Sequence, residues 1–423
     1  MDLYPDERGC SEGMAPALTL AGPRPPFRPT LPASGTSQDS AAVSLLFSPV
    51  AFRDLSLANR LVVTPMCQYS AMGGLANDYH LAHLGRFALG GFGTVIVEAT
   101  AVVPEGRITY ADLGLWSDEH IPPLARIVDL LHAQGAAVGI QLAHAGRKAA
   151  SPVPWRHGFD ETEEEKPRVG FEDWRPVGPS AVSHAPDSPD YKVPHALTGP
   201  ELDTLREAFV AAARRAEQAG FDLVEVHSAH GYLLHQFLSP VANNREDGFG
   251  GSLENRMRFP LSVARAVREV WPAHKPMFVR ISAQDGIEGG WSLDDSVAYA
   301  RALKEIGADL IDCSSGGFAG GRFATGPAYQ VPYAHRVRED AGLPTMAVGL
   351  VTDAREAEAV LRDGSADLVA LGRAALDDPN WPLHARHALV ADPDPYAQWP
   401  SQSGYAVRNM DRSLGRRGFA KTG

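Results

Sequence analysis

The amino-acid sequence predicts an α/β protein built as a single (β/α)8 barrel of the TIM type, with a disordered N-terminal extension and an irregular C-terminal tail. Three observations carry this. Eight apolar runs are separated by stretches of helical length. Helix caps and stops fall in the intervals, and polar, aromatic and glycine residues gather just after the runs. Eight β-then-α units close a barrel. An open doubly wound sheet is the alternative, but no G-x-G-x-x-G follows the first run.

Taken in order, residues 1–43 hold seven prolines, several Ser and Gly, and no hydrophobic period. Such a segment cannot bury enough apolar surface to offset ordering, so a disordered leader is expected. The barrel is expected over 44–391 and a tail over 392–423. The apolar runs are Leu61–Met66, Thr94–Thr100, Ala137–Leu142, Leu223–His227, Met277–Ile281, Leu310–Ser314, Thr345–Val348 and Leu368–Leu371. Their near-continuous apolarity suits parallel strands covered by helices. Thr198 with Glu201, Ser292 with Asp295 and Asp353 with Glu356 are expected capping boxes. Gly220, Gly307 and Gly364 stand where the preceding helices should stop. From Ser401 the tail carries Arg408, Arg412, Arg416 and Arg417 and reads as solvated and basic.

Composition narrows the function. With 44% hydrophobic and 21% charged residues the chain is ordinary for a globular protein, and a net charge of −12 disfavours nonspecific binding to nucleic acid or anionic membrane. No apolar run approaches the ~18 residues that span a bilayer. The first twenty residues show no secretory pattern. Three scattered cysteines, Cys10, Cys67 and Cys313, suggest neither a disulfide framework nor a zinc site, and a reduced cytoplasmic compartment is expected.

In a barrel the chemistry sits on the loops after the strands. Here those loops carry Thr64-Pro65-Met66-Cys67-Gln68-Tyr69, Glu98-Ala99-Thr100, Gln141 through Lys148, His227 through His235, Arg280-Ile281-Ser282, Ser314 through Gly317, Val348-Gly349 and Gly372-Arg373. The fourth end is the focus. His227, His230 and Tyr232 can hold a polar atom from two sides and offer a proton beside it. Either histidine alone would suit a structural role; the cluster points to function. Gly349 with Gly372 and Arg373, after the seventh and eighth strands, predict a phosphate-bearing cofactor or substrate. If that phosphate ends a flavin mononucleotide, Arg280 would stabilise negative charge on the ring. Gln141 and Ala99 would then meet the ring's polar edge.

From about Leu46 to Asp378 the chain resembles the Old Yellow Enzyme family of FMN-dependent ene-reductases, in particular its thermophilic-like class with the xenobiotic reductases. The resemblance rests on L-F-S-P-V at 46–50, N-R at 59–60, P-M-C-Q-Y at 65–69, V-E-A-T-A-V at 97–102, P-E-G-R-I-T at 104–109 and L-W-S-D-E-H at 115–120. It continues with Q-L-A-H-A-G-R-K at 141–148, H-S-A-H-G-Y-L at 227–233, F-G-G-S-L-E-N-R at 249–256, V-R-I-S at 279–282 and L-G-R at 371–373.

The resemblance implies that Thr64, Pro65, Met66 and Cys67 line FMN, with Cys67 tuning its potential. Ala99, Gln141 and Arg280 would hold the ring, and Gly349, Gly372 and Arg373 the phosphate. His227 and His230 would bind the substrate carbonyl, Tyr232 would give the proton, and Tyr69 would touch the ligand. NADPH would be the hydride donor and small activated alkenes the partners, with hydride passing from flavin N5 to the β-carbon. A homodimer or higher homo-oligomer is expected, with Trp399 packing near the partner's active-site mouth.

Rival readings are a dienoyl-CoA-reductase-like flavoprotein, a flavin-free phosphate-sugar isomerase and a catalytically idle binding module. The scattered cysteines exclude the first one's usual iron–sulfur ligation. The long excursion from Ala145 to Thr198 is expected to cover the substrate mouth, with the acidic run Glu161–Glu165 as a solvated face.

Overall fold

The computed structural model describes residues 44–416 apart from 157, 159 and 393. The leader expected over 1–43 and Arg417 therefore lie outside the described residues. The barrel strands are β1 (Leu61–Val63), β2 (Thr94–Ala101), β3 (Ala137–Ala143), β4 (Leu223–Ser228), β5 (Met277–Ser282), β6 (Leu310–Ser314), β7 (Thr345–Ala347) and β8 (Leu368–Leu371). They pair in sequence order and close, β8 onto β1, into an all-parallel barrel. The first run ends three residues early as a strand. Pro65 has no N–H to give a ladder, so Thr64 to Met66 turn onto the rim.

Two of the expected capping boxes are present, Thr198–Glu201 and Ser292–Asp295. The third is one-sided. The Asp353 carboxylate accepts from the Arg355 and Glu356 N–H groups, but Glu356 does not reach back. Gly220, Gly307 and Gly364 adopt φ of 92°, 97° and 69°, the left-handed stop that a residue with a Cβ takes only under strain.

Below the barrel, a hairpin of Val50–Phe52 and Leu55–Leu57 plugs the amino-terminal mouth. Phe52 and Leu57 join Val62, Ile96, Leu223, Phe278, Leu310, Met346 and Leu368 in one apolar cluster. The Phe52 and Phe278 rings meet edge to face at 5.3 Å. Arg53 fastens the hairpin's turn, its Nε donating to Asp309 Oδ1 at 2.7 Å and its Nη1 to the Ala273 carbonyl at 2.7 Å.

Two expectations need correction. The segment expected to be irregular forms a helix, Ser401–Leu414, stopped by Gly415 at φ 61°. It buries just Gly404 and Asp411, so its sequence shows no wide apolar stripe to announce it. It is tied down by the Tyr396 hydroxyl donating to the buried Asp411 carboxylate and by Arg408 pairing with Asp394. The acidic run Glu161–Glu165 is likewise not uniformly solvated. Glu161 is buried and accepts from the Tyr110 hydroxyl at 2.6 Å, while Glu163 and Glu164 face water.

Candidate active site

Strand side chains alternate between faces, so residues two apart along a barrel strand occupy successive interior layers. The lowest layer is the apolar one under which the hairpin sits. Two residues on from Leu223, Phe278 and Leu310 come Glu225, Arg280 and Asp312, and Gln141 lies in register with Glu225. Two further on come His227, Ser282 and Ser314. The interior thus passes from apolar plug to polar floor to site.

The floor is tightly connected. Arg280 Nη1 donates to Thr64 Oγ1 at 2.7 Å, and its Nε lies 3.0 Å from Asp312 Oδ2. Gln141 Nε2 donates to Glu225 Oε1 at 2.8 Å. Burial first, then the charge of Asp312, pushes the Glu225 carboxyl up to about 8. Burial also raises Asp312, against the pull of Arg280.

Above the floor, the His227 ring centroid lies 5.1 Å from those of both His230 and Tyr232. His230 stands at φ 58°, a left-handed conformation held by its N–H to Ser282 Oγ at 2.8 Å and by Nε2 against Ser314 Oγ at 2.7 Å. The His227 ring makes no hydrogen bond among the described residues, and its Nδ1 is fully buried. Burial, then the nearby Arg280 charge, holds both imidazoles well below their ordinary range, so they are neutral at pH 7. The Tyr232 phenol is raised by burial and then by Cys67 and Tyr69, so it keeps its proton.

The other rim residues come from across the barrel. Cys67, Tyr69 and Tyr232 pack on one small cluster of Ile108, Ala145 and Ala149. Ala99 lies within an irregularity in the β2–β3 register between Val97 and Thr100 and lines a small cavity with Ala143 and Tyr232. Leu371 pairs with Val63, which brings Gly372 beside Thr64; a Cβ on Gly372 would come within 3.2 Å of Thr64 Cγ2 and 3.6 Å of Met66 Sδ. Gly349 follows β7, the neighbour of β8, at φ 114°. The Arg373 side chain is exposed and has no hydrogen bond or ion pair among the described residues. The excursion after β3 does reach the rim, where exposed Trp155 meets Tyr69 edge to face at 5.7 Å.

The sequence reading missed Lys148, Glu225 and Asp312 as members of the site. Lys148 Nζ donates to the carbonyls of His230 and Gly317 at 3.0 and 3.2 Å and lies 4.9 Å over the Tyr232 ring. Burial, then Arg147, lowers it to about 8. The missed signal for the two acids was a carboxylate inside an otherwise apolar strand run.

The family model described as the NADH:flavin oxidoreductase / NADH oxidase family matches residues 45–392. The chain belongs to that family. Members similar to it include the NADPH dehydrogenase of Geobacillus thermodenitrificans, 45% identical over 82% of this chain and 95% of that one. The NADPH dehydrogenase of Bacillus subtilis is 43% identical over 79% and 92%. Among solved structures, morphinone reductase superposes with a TM-score of 0.69 at 28% identity, over 84% of this chain and 94% of that one. A 2-naphthoyl-CoA reductase superposes at 0.74 with 24% identity over 84% of this chain; the chain spans 53% of its length, and that likeness bears on the fold alone. This family member is an Old Yellow Enzyme-like oxidoreductase that works with a flavin and NADPH on small molecules. Among the described residues no helix is long and apolar enough to cross a membrane.

Proposed function

We propose that this protein is an FMN-dependent ene-reductase that uses NADPH to reduce the activated C=C bond of α,β-unsaturated carbonyl or nitro compounds. The observation that carries the reading is the cluster of His227, His230 and Tyr232 directly above a floor that holds Arg280 and Gln141. An FMN-binding domain over 44–391 is part of the same proposal.

The donor set fits FMN. Arg280 and the Gln141 amide suit the polar edge of the ring, with Ala99 alongside and Thr64, Pro65, Met66 and Cys67 lining it. Gly349, Gly372 and the unpaired Arg373 suit its phosphate. When bound, FMN supplies the hydride that NADPH provides. His227 and His230, being neutral, donate N–H groups to the substrate oxygen and stabilise charge where it develops. Tyr232, still protonated, gives its proton to the α-carbon as general acid, and solvent restores it. Tyr69, packed on the same small cluster as Tyr232, contacts the ligand beside it.

The double variant His227→Ala/His230→Ala tests this. It is expected to keep FMN and to weaken binding of p-hydroxybenzaldehyde at least about tenfold, the loss of charge-assisted hydrogen bonds, read from the long-wavelength charge-transfer band. An unchanged dissociation constant refutes the oxygen-binding role.

A cytoplasmic site of action and a homodimer are proposed as well. The described cysteines, Cys67 and Cys313, are free thiols, in keeping with a reducing compartment. The Ser401–Leu414 helix exposes Tyr405, Met410 and Leu414, apolar surface of the kind subunits cover.

A further inference from the structure

We propose that Asp312 is a positioning residue for the flavin: inside the barrel it fixes the Arg280 guanidinium against the ring site and offsets its charge, while Glu225 holds Gln141 as an uncharged acid. The inference rests on the reading of Arg280 and Gln141 as flavin contacts.

Asp312 lies on β6 directly in register with Arg280 on β5, and Arg280 Nε is 3.0 Å from its Oδ2. Neither Asp312 oxygen has a hydrogen-bond partner among the described residues, so the carboxylate is compensated by the guanidinium it faces. Glu225 is in register with Gln141 and spends one oxygen on the Gln141 amide; its other oxygen is buried without a partner.

One guanidinium and two carboxyls thus share a layer in which Asp312 and Glu225 are wholly buried and Arg280 is nearly so. With both acids ionised the layer would carry net negative charge out of reach of water, which is costly. With one proton it is neutral. Asp312, against the cation, is the acid that stays ionised. Glu225 keeps the proton, in line with the rise of its carboxyl to about 8 from burial and then Asp312.

A cation beside the ring favours the negative charge that a flavin gains on reduction, and a carboxylate on that cation's far side takes part of the effect away. Asp312 therefore lowers the potential of the bound flavin and keeps it a willing hydride donor. Its contact also fixes the guanidinium so that Nη1 reaches Thr64.

The test is the midpoint potential of the flavin-loaded protein, with Asp312→Asn, Glu225→Gln and Arg280→Met beside the wild type. Asp312→Asn is expected to favour the reduced cofactor about tenfold, ~30 mV for a two-electron couple, and Glu225→Gln to leave the potential in place. A loaded Asp312→Asn protein with an unmoved potential overturns the proposal. Arg280→Met separates the two readings. A fall in its potential upholds Arg280 as a flavin contact whatever Asp312 does, and no change removes that contact and this proposal with it. Infrared spectra of wild type and Glu225→Gln at pH 7 decide the matter even where Asp312→Asn fails to load. The wild-type spectrum is expected to hold one protonated-carboxyl stretch that the Glu225→Gln spectrum lacks, beside the band of Asp112 that both share. A difference spectrum without that stretch overturns the charge assignment.

Discussion

Cys67 illustrates how surroundings set what a side chain can do. Burial, then the charges of Asp112 and Glu98, raises its thiol well above the usual range, so it is a neutral thiol at pH 7 rather than a nucleophile. It is expected to alkylate with iodoacetamide at least about tenfold slower than a free cysteine. Cys67→Ala should shift the flavin potential while turnover persists. Complete loss of alkene reduction, with flavin still bound and still reducible by NADPH, would assign it a covalent role. Lys148 makes the complementary point. The sequence shows a basic residue in a loop. That its ammonium bridges the ends of β4 and β6 and covers the Tyr232 ring depends on three loops meeting in space. His227, His230 and Tyr232 were legible because they lie within six residues of one another, after one strand.

At the level of elements, the eight strands were readable because each is fully buried and so appears as a near-continuous apolar run. The hairpin plug was not. Its strands are three residues each, and their pattern is lost among neighbouring turns. Nor was the Ser401–Leu414 helix, whose anchor is a buried aspartate rather than an apolar face. The excursion from Ala145 to Thr198 was recognisable as long, but not its fastening by Arg107. That guanidinium lies 5.2 Å from the Trp116 ring and 4.9 Å from the Trp174 ring, and Nη2 is 2.5 Å from Glu172. The hairpin carries a prediction of its own. Phe52→Ala removes a ring from the apolar layer and is expected to destabilise the flavin-free protein by about 3 kcal/mol. The urea-unfolding midpoint measures this, and an unchanged midpoint would show that the plug does not bear on barrel stability.

For the molecule as a whole, buried titratable groups of opposite kinds should shape the pH dependence of folding. Burial lowers His83 to about 4 and His144 and His184 to about 3. Below the ordinary histidine value of about 6.5 the unfolded chain therefore holds more protons, and stability falls as pH drops. Burial raises Asp112 to about 7 and Glu225 to about 8, the opposite case: their contribution is complete at low pH and is lost as pH rises through those values. Above about pH 6.5 the histidines no longer add slope, so the melting temperature of the flavin-free protein should decline from there toward pH 8. Glu225→Gln should flatten that decline; an equally steep one would show that Glu225 carries no proton in the fold. Assembly is a second prediction at this scale. Trp399 is half-buried against its own chain, its indole N–H donating to His387 Nε2 at 3.2 Å, and the rest of its surface is what a partner would cover. Truncation from Asp392 removes both this fold-back and the exposed face of the last helix. It is expected to yield a monomer with altered substrate affinity. Unchanged sedimentation and unchanged enone binding would rule out the tail as an interface.

The hairpin under the barrel has one more consequence. A cylinder stoppered at one end can be ventilated only from the other, and on the function proposed above the open end is the one that cofactor and substrate would fill. Any proton that Glu225 gains or gives up must pass that occupied mouth or wait for the cylinder to breathe. The floor should then respond slowly to a sudden change of acidity, and more slowly once the mouth is filled, so that the loaded molecule carries for a time a memory of the conditions under which it was assembled.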